Sequence, residues 1–141
     1  MHFVMITILV ISGTLLAACT GGASASVVGD WRLVSYGSPA APAPAAPDVD
    51  TSIVFGEDGK VNGNVGCNGF GGDYTVDGNV ITFGQIVSTL MFCEGPVGDQ
   101  ETTTLNVFAG SATFVMDGDT LTITSEDGSA AVVLARKLAY P

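Results

Sequence analysis

The stretch GCNGFGGDY, residues 66–74, decides the fold of this chain. It combines a cysteine that can form a disulfide, several glycines and two aromatic side chains. Glycines in such a segment favour a bulge or a close approach of the backbone. We expect Asn68 to hydrogen-bond to local backbone, and Phe70 and Tyr74 to pack inward. A phosphate-binding loop is disfavoured because no Lys followed by Ser or Thr comes after the glycines.

The N-terminus has the pattern of a lipoprotein signal peptide. Residues 3–18 form an almost unbroken apolar run without charge, which ends in Leu-Ala-Ala before Cys19. The run is shorter than the roughly 20 residues of a membrane span and is well sized for a signal-peptide core. We therefore predict a signal peptide over 1–18 and lipidation of Cys19, with an uncleaved anchor as the alternative. The segment departs from the usual signal-peptide pattern in one respect, because no Lys or Arg precedes the apolar core.

The mature chain is expected to be one small, monomeric domain on a tether. Residues 19–27 contain mostly small and polar side chains, which predicts a flexible segment, and residues 28–138 are enough for one core. The lipid would hold the domain at the cell envelope. Thr20 rather than Asp after the cysteine favours, by resemblance to lipoproteins of diderm bacteria, the periplasmic side of the outer membrane.

The two remaining cysteines, Cys67 and Cys93, form a pair in a chain that is expected to reach an oxidising compartment. A disulfide between them is the natural expectation. It would stabilise the fold by roughly 3 to 4 kcal/mol on the chain-entropy estimate. Two free thiols in the core are the alternative.

Short strands alternate with turn dipeptides along most of the chain. Asp-Gly pairs occur at residues 58–59, 77–78, 117–118 and 127–128, and each lies between segments of alternating apolar residues. Such pairs are strong hairpin signals, so they predict a mostly antiparallel meander. The first strand is expected over 31–36 with Trp31 and Leu33 inward and Tyr36 on the opposite face. Residues 85–92 are also expected to form a strand.

Two segments should differ from this pattern. Four prolines alternate with alanines within residues 37–47, which predicts a polyproline-like surface loop over 37–50. One helix is expected near 96–109, because Pro96 suits a first helical position and Asp99 and Glu101 would face the positive end of the helix dipole. Its apolar stripe would be formed by Leu105, Phe108 and Ala109.

Charge and residue inventory argue against several functions. The chain has 14 acidic and 4 basic residues and a net charge of −10, so nucleic-acid binding is disfavoured. The single histidine is His2, inside the predicted signal peptide, which argues against a Ser-His triad and against a zinc site. No cofactor or metal is expected. The pairs Asp48/Asp50 and Asp117/Asp119 are better explained by turns than by calcium.

At this point the residues support a family resemblance. The stretch 66–74 resembles the GCN-x-F-x-G-x-Y signature of the META/HslJ-like domain family, and residues 89–93 resemble its Thr-x-Met-x-Cys block. The matching positions are Trp31, Gly66, Cys67, Asn68, Phe70, Gly72, Tyr74, Thr89, Met91 and Cys93. Departures are Leu90 and Gly69, at positions where the family often has basic residues, and the Pro/Ala insertion. These departures weaken any idea of a basic patch there.

The resemblance implies a mostly β (α+β) fold: a compact antiparallel meander or partly closed barrel of about eight short strands packed with one helix. It implies structural roles for the signature positions and a disulfide between Cys67 and Cys93, and it supplies no catalytic residues. It also implies an envelope protein linked to stress or antibiotic tolerance, secretion or virulence.

Three functions are consistent with these observations. The first is a lipid-anchored, non-catalytic domain that binds an envelope protein or another envelope component. The alternative is a binder of a small apolar ligand or lipid, motivated by the residues Phe55, Phe83, Met91, Phe92 and Phe108, which could equally be ordinary core. The least favoured is a hydrolase that uses Glu94 with Glu101 or Asp99.

Overall fold

The computed structural model describes residues 26–138, which contain ten strands and one helix. The predicted signal peptide and the lipidation site Cys19 lie outside the described residues. The bounds are β1 Gly29–Ser38, β2 Ala41–Pro44, β3 Ser52–Phe55, β4 Lys60–Asn64, β5 Gly69–Asp77, β6 Val80–Phe83, β7 Val87–Ser88, α1 Gly95–Val107, β8 Ser111–Asp117, β9 Thr120–Ser125 and β10 Ala131–Arg136. Within residues 26–138, the single helix is too short and too polar to cross a bilayer.

Eight of the strands form a closed antiparallel barrel. Their order is β10-β9-β8-β6-β5-β4-β3-β1, and pairing of β1 with β10 closes the ring. The short strands β2 and β7 lie outside the ring and pair with β1 and β5. The predicted mostly β fold with about eight barrel strands and one helix is confirmed.

All four Asp-Gly pairs lie at hairpin turns, as the sequence predicts. They connect β3 to β4, β5 to β6, β8 to β9 and β9 to β10. In each turn the glycine has a positive φ, between 56° and 75°, which side chains rarely tolerate. These local signals are strong because each satisfies the backbone geometry of a tight turn without help from the rest of the protein.

Aromatic side chains fill the interior of the barrel. Phe108, at the end of α1, stacks on Phe83 with ring centroids 4.4 Å apart and also contacts Phe55 and Phe70. Each such pair contributes about 0.5–1.5 kcal/mol beyond the burial of its surface. The helix packs against β1, β9 and β10. Trp31 is fully buried, and its indole Nε1 donates to the Val27 carbonyl at 2.8 Å, so the folded part includes Val27.

One face of β1 differs from the prediction. Trp31 and Leu33 are buried as expected, but Tyr36 is also buried, with 7% of its surface exposed. The register of β1 against β10 shifts between Leu33 and Ser35, which is a β-bulge. Because a bulge inserts one residue, the alternation changes face and turns Tyr36 inward.

The loop predicted over residues 37–50 is partly wrong, because Ala41–Pro44 forms β2. This strand is an edge strand that pairs with the second half of β1. The backbone N–H of Ala45 donates to the Val34 carbonyl at 2.9 Å. The alternation along the strand therefore places the prolines where an N–H would point away from β1. Proline is tolerated at such edge positions.

The strand predicted over residues 85–92 is also largely wrong. Only Val87 and Ser88 form a strand, and residues 89–94 leave the sheet. At Met91, the side chain of Asn68 takes the two backbone hydrogen bonds that another strand would have supplied.

The helix is where the sequence predicts it, but its buried face is different. The buried helical residues are Gln100, Glu101, Thr104 and Val107. Of the predicted apolar stripe, Phe108 is buried directly after the helix, Leu105 is half-buried and Ala109 is exposed, as is Asp99. Glu101 is therefore not a surface charge facing the helix dipole. A pattern of apolar residues could not reveal this face, because its polar side chains bond to distant parts of the chain.

Candidate functional site

The buried side chain of Asn68 organises the end of the barrel at which β5 begins. Asn68 is 4% exposed. Its Oδ1 accepts hydrogen bonds from the Met91 N–H at 2.7 Å and the Thr89 hydroxyl at 2.8 Å. Its Nδ2 donates to the Met91 carbonyl and to the Glu101 carboxylate, both at 2.9 Å. The expectation of local backbone partners is wrong, since these partners lie 21 to 33 residues away.

The helix is attached to this end of the barrel through two polar residues. Glu101 accepts from the Asn68 N–H at 2.7 Å as well as from its side chain. Gln100 is fully buried, donates to the Val65 carbonyl and accepts from the Ala46 N–H at 2.9 Å. Together these contacts satisfy backbone groups that lie outside the sheet. We call Asn68, Glu101 and their partners at Thr89 and Met91 the Asn68 network.

A covalent link lies beside this network. The sulfur atoms of Cys67 and Cys93 are at disulfide-bonding distance, and their Cα atoms are 6.1 Å apart, within the usual range. This geometry supports the predicted disulfide. The segment 87–93 is thus fixed by β7 at one end, by Asn68 in the middle and by Cys93 at the other end.

The fixed segment carries apolar side chains on the outside of the protein. We call residues 87–92 the apolar loop. Leu90 is 95% exposed, Phe92 is 87% exposed, and Val87 and Met91 are each 63% exposed. Single exposed apolar residues are common on protein surfaces, whereas a contiguous group marks a contact surface or a ligand site. The apolar loop is such a group.

An open groove of about 670 Å³ runs beside the apolar loop on the outer face of the barrel. Its floor includes Gly69 and Gly71 of β5. Asn62 and Asn64 of β4 line one side, and residues 87–89 line the other. None of its lining residues is charged; they are Ser52, Asn62, Gly63, Asn64, Gly69, Phe70, Gly71, Val87, Ser88 and Thr89.

The apolar residues that suggested a bound ligand lie in two different places in the structure. Phe55, Phe83 and Phe108 are buried and contact one another, so they form core. Met91 and Phe92 lie outside the barrel, on the apolar loop. An apolar ligand would therefore meet the outer surface.

The acidic residues considered for hydrolysis do not form a reactive pair. Both carboxylate oxygens of Glu101 accept hydrogen bonds from Asn68. Glu94 and Asp99 are exposed to solvent. No group of three or more His, Cys, Asp or Glu side chains with metal-binding geometry is found within residues 26–138.

Other signature residues make contacts that stabilise the fold. Arg136 places its guanidinium 4.3 Å from the Trp31 ring centroid, a cation–π contact. The Tyr74 hydroxyl donates to the Gly56 carbonyl at 2.8 Å, and burial, together with the charge of Asp58, raises the pKa of Tyr74. A Cβ on Gly72 would approach within 2.7 Å of the Gln85 carbonyl. These positions hold the fold and offer no reactive group.

Sequence reasoning missed two features of this site. The role of Glu101 has no local signal, because its partner Asn68 is 33 residues away. The exposure of the apolar loop did have a signal in the sequence, since Leu90 and Gly69 are two of the three departures from the family pattern. Both residues contribute to the surface described here.

Comparison with known proteins gives one family and several similar folds. The family model described as META domain matches residues 25–137. No curated protein sequence matches the chain.

Three solved structures share the fold. An NMR structure of a protein from Burkholderia xenovorans has a TM-score of 0.63 at 17% identity, covering 79% of this chain and 83% of that one. Another NMR structure has a TM-score of 0.60 at 19% identity, covering 77% and 88%. The crystal structure of a DUF4847 family protein from Bacteroides vulgatus has a TM-score of 0.55 at 16% identity, covering 79% and 94%.

Proposed function

This chain belongs to the META domain family, and we propose that it is a non-catalytic domain of the cell envelope. In this proposal, a lipid on Cys19 anchors the domain to the envelope, and the apolar loop binds an envelope protein. The observation that carries the proposal is the exposure of Leu90 and Phe92 on a backbone held by Asn68. The proposed role is support of stress or antibiotic tolerance, or of secretion.

A binding role fits the energetics of the loop. Burying a Leu or Phe side chain is worth about 1.5–3 kcal/mol, so Leu90 and Phe92 are available as a source of affinity. The fixed backbone lowers the entropy that ordering would otherwise cost on binding. Without such support, an exposed apolar loop would fold onto the domain, or ordering it on binding would cost entropy. The Asn68 network and the disulfide therefore support the proposal together.

A non-catalytic role is supported by the chemistry of the buried carboxylate. Glu101 is the only acidic residue that is buried among residues 26–138, and its oxygens already accept bonds from Asn68. Its contacts explain its position without reference to a substrate. A hydrolase would need a free carboxylate in a cleft beside a second one.

The second candidate function is binding of a small apolar ligand or lipid. The observation in its favour is the open groove of about 670 Å³ beside Val87. The ligand would lie against the outer face of the barrel, because the interior is occupied by the packed rings of Phe55, Phe83 and Phe108. Native mass spectrometry of protein purified from its host would show a bound mass if this candidate is right.

The main proposal is tested in host cells with the full chain. A photo-crosslinking amino acid is placed at position 90, and in a control at Val115, which is 65% exposed on β8. We expect a specific protein adduct from position 90 that is absent from position 115. Equal or absent adducts at both positions would contradict binding through the apolar loop.

The lipid anchor is tested separately. Mass spectrometry of the unmodified chain should show an acylated N-terminal cysteine, and Cys19→Ser should abolish this acylation. An unlipidated chain in the soluble fraction would contradict the anchor and leave the binding result to stand on its own.

A further inference from the structure

Resting on the proposed function, we infer the chemistry of the partner: an extended protein segment with apolar side chains flanked by Lys or Arg, which lies in the groove beside the apolar loop. Four observations carry this inference. They are the glycine floor of the groove, its width, the charge around it, and the place where the chain enters the barrel.

The fold of the domain does not require the two glycines that leave the floor of the groove open. Neither Gly69 nor Gly71 has a positive φ. A Cβ on Gly69 would meet no atom within 4 Å, and a Cβ on Gly71 would be at ordinary contact distance from Val61. Glycine weakens a strand, so two such residues with no local need indicate a close approach by another molecule.

The width of the groove fits one extended chain. β4 and β7 lie on either side of β5, so the backbones of the two sides are two strand spacings, or roughly 9–10 Å, apart. An α-helix with its side chains is about 10–12 Å across and would not enter. An extended segment can lie on the glycines, with the amides of Asn62 and Asn64 on one side and Val87 on the other.

The charge of the domain selects the partner. The lining of the groove is uncharged, but the chain as a whole carries a net charge of −10. Glu94 is exposed directly after Cys93, and Asp30, which accepts from the Ser52 hydroxyl, borders the other side. Apolar contacts in the groove and basic side chains around it would complement this surface, since charge complementarity speeds association and suppresses wrong partners.

The basic residues of the domain offset little of this negative charge. Three of the four form ion pairs: Lys60 with Asp73, Arg136 with Asp119, and Lys137 with Asp50. The fourth, Arg32, lies on β1, which does not line the groove. An anionic bilayer would repel such a domain. A second copy of the chain would carry the same charge, and four exposed side chains bury far less than the roughly 800 Å² per partner of a stable interface.

The entry point of the chain also argues against the anchoring membrane as the occupant. Residues 26–28 lie beside Tyr74–Val76 of β5, whereas the apolar loop bonds to Asn68 and Gly69 at the start of that strand. The two places are about six residues, or roughly 20 Å, apart along β5. A chain anchored at Cys19 would therefore enter the domain away from the apolar loop, and insertion of the loop into the same bilayer would require the tether to extend along the barrel for roughly 20 Å.

The test uses the full lipidated chain in nanodiscs of uncharged phospholipid and three matched synthetic peptides. One has an apolar core of Leu, Ser and Phe flanked by lysines; the second replaces the lysines with glutamates, and the third replaces the apolar core with serines. We expect the first to bind at least about tenfold more tightly than the others, with an affinity that falls as salt rises.

Matched variants locate the binding surface. Gly69→Val fills the groove, and Leu90→Ser with Phe92→Ser removes the apolar side chains; each should weaken binding by about tenfold or more. Val115→Ser should leave it unchanged. Equal binding of the serine-core or glutamate-flanked peptide would overturn the inference.

Two further outcomes separate this inference from the proposed function. A Phe92→Trp variant whose fluorescence shifts to the blue on phosphatidylglycerol vesicles would show bilayer insertion and overturn the inference. If none of the peptides binds but the crosslinker at position 90 still captures a protein in cells, the chemistry of the partner is wrong and the binding role stands. Absence of any adduct in cells contradicts the binding role itself.

Discussion

The side-chain amide of Asn68 bonds to both the N–H and the C=O of Met91, at 2.7 Å and 2.9 Å. For one residue, the side chain thus takes the place of a neighbouring strand. This explains why the chain can leave the sheet after Ser88 and still have a fixed backbone. Since the amide fixes only the backbone, the flanking apolar side chains of Leu90 and Phe92 stay exposed.

The first prediction concerns this amide. Asn68→Ala removes both bonds to Met91 and leaves the buried Glu101 carboxylate without its side-chain donor. We expect the free energy of unfolding to fall by about 2–4 kcal/mol, because buried groups left unpaired cost about 1–3 kcal/mol each. Urea unfolding measures the change. Asn62→Ala, at an exposed position, is the control and should change stability by less than about 0.5 kcal/mol.

The second prediction concerns Glu101. Glu101→Gln keeps the shape of the side chain but turns an NH₂ group toward one of the two Asn68 donors. Hydrogen bonds to charged groups contribute about 1.5–3 kcal/mol, so we expect a loss of that order in unfolding free energy. Asp99→Asn, two residues earlier and exposed, should be near neutral. If the two variants were equally stable, the buried carboxylate would have no structural role.

The third prediction concerns the link between Cys67 and Cys93, which are 26 residues apart. Reduction should lower the free energy of unfolding by roughly 3 to 4 kcal/mol, since the open chain gains entropy in the unfolded state. Thermal unfolding with and without a reductant measures the effect, and Cys67→Ala with Cys93→Ala should reproduce it without reductant. A midpoint that does not respond to reductant would mean that the link contributes nothing.

The sequence predicts those elements that satisfy their own backbone geometry. The Asp-Gly turns, the inward positions of Trp31 and Leu33, and the helix after Pro96 all follow from local rules, and the structure contains them. The strand β2 was predicted as a loop for a related reason. The local preference of its prolines for extended backbone does not show that β1 lies beside them.

Features that depend on distant partners could not be predicted in this way. The bulge that turns Tyr36 inward is defined by the register of β1 against β10, about 100 residues later in the chain. Likewise, β propensity over residues 85–92 could not reveal that Asn68 would bond to Met91. The candidate site is made of such long-range contacts, so only its signature residues were found.

The fourth prediction concerns acid stability at the turn between β9 and β10. The Asp127 carboxylate accepts from the Ser129 N–H at 3.0 Å and from the hydroxyls of Ser125 and Ser129 at 2.7 and 2.8 Å. These bonds, the Ser129 N–H first, lower the pKa of Asp127 from 3.8 to about 2.

Because the pKa is lowered by folding, the carboxylate stabilises the native state above pH 3.8 and this contribution is lost as the pH falls toward 2. Asp127→Ala should therefore be less stable than the unmodified chain at pH 6, and the gap should narrow between about pH 4 and pH 2. Thermal midpoints measured across this range test it. A gap that stays constant down to pH 2 would show that the ionised carboxylate is not what stabilises the turn.

The last prediction compares two glycines of the same signature stretch, Gly66 and Gly69. Gly66 has φ +108°, and a Cβ there would collide with the Val49 side chain. Gly69 has no positive φ and open space around its Cβ position. Gly69→Val should stabilise the domain by up to about 1 kcal/mol, because valine favours a strand. Gly66→Val should destabilise it by more than about 2 kcal/mol, since backbone strain and the collision add. Urea unfolding of both variants measures these changes in stability. If Gly69→Val destabilised the domain as much as Gly66→Val, the glycine at 69 would be a requirement of the fold, and its open floor could no longer be attributed to a bound partner.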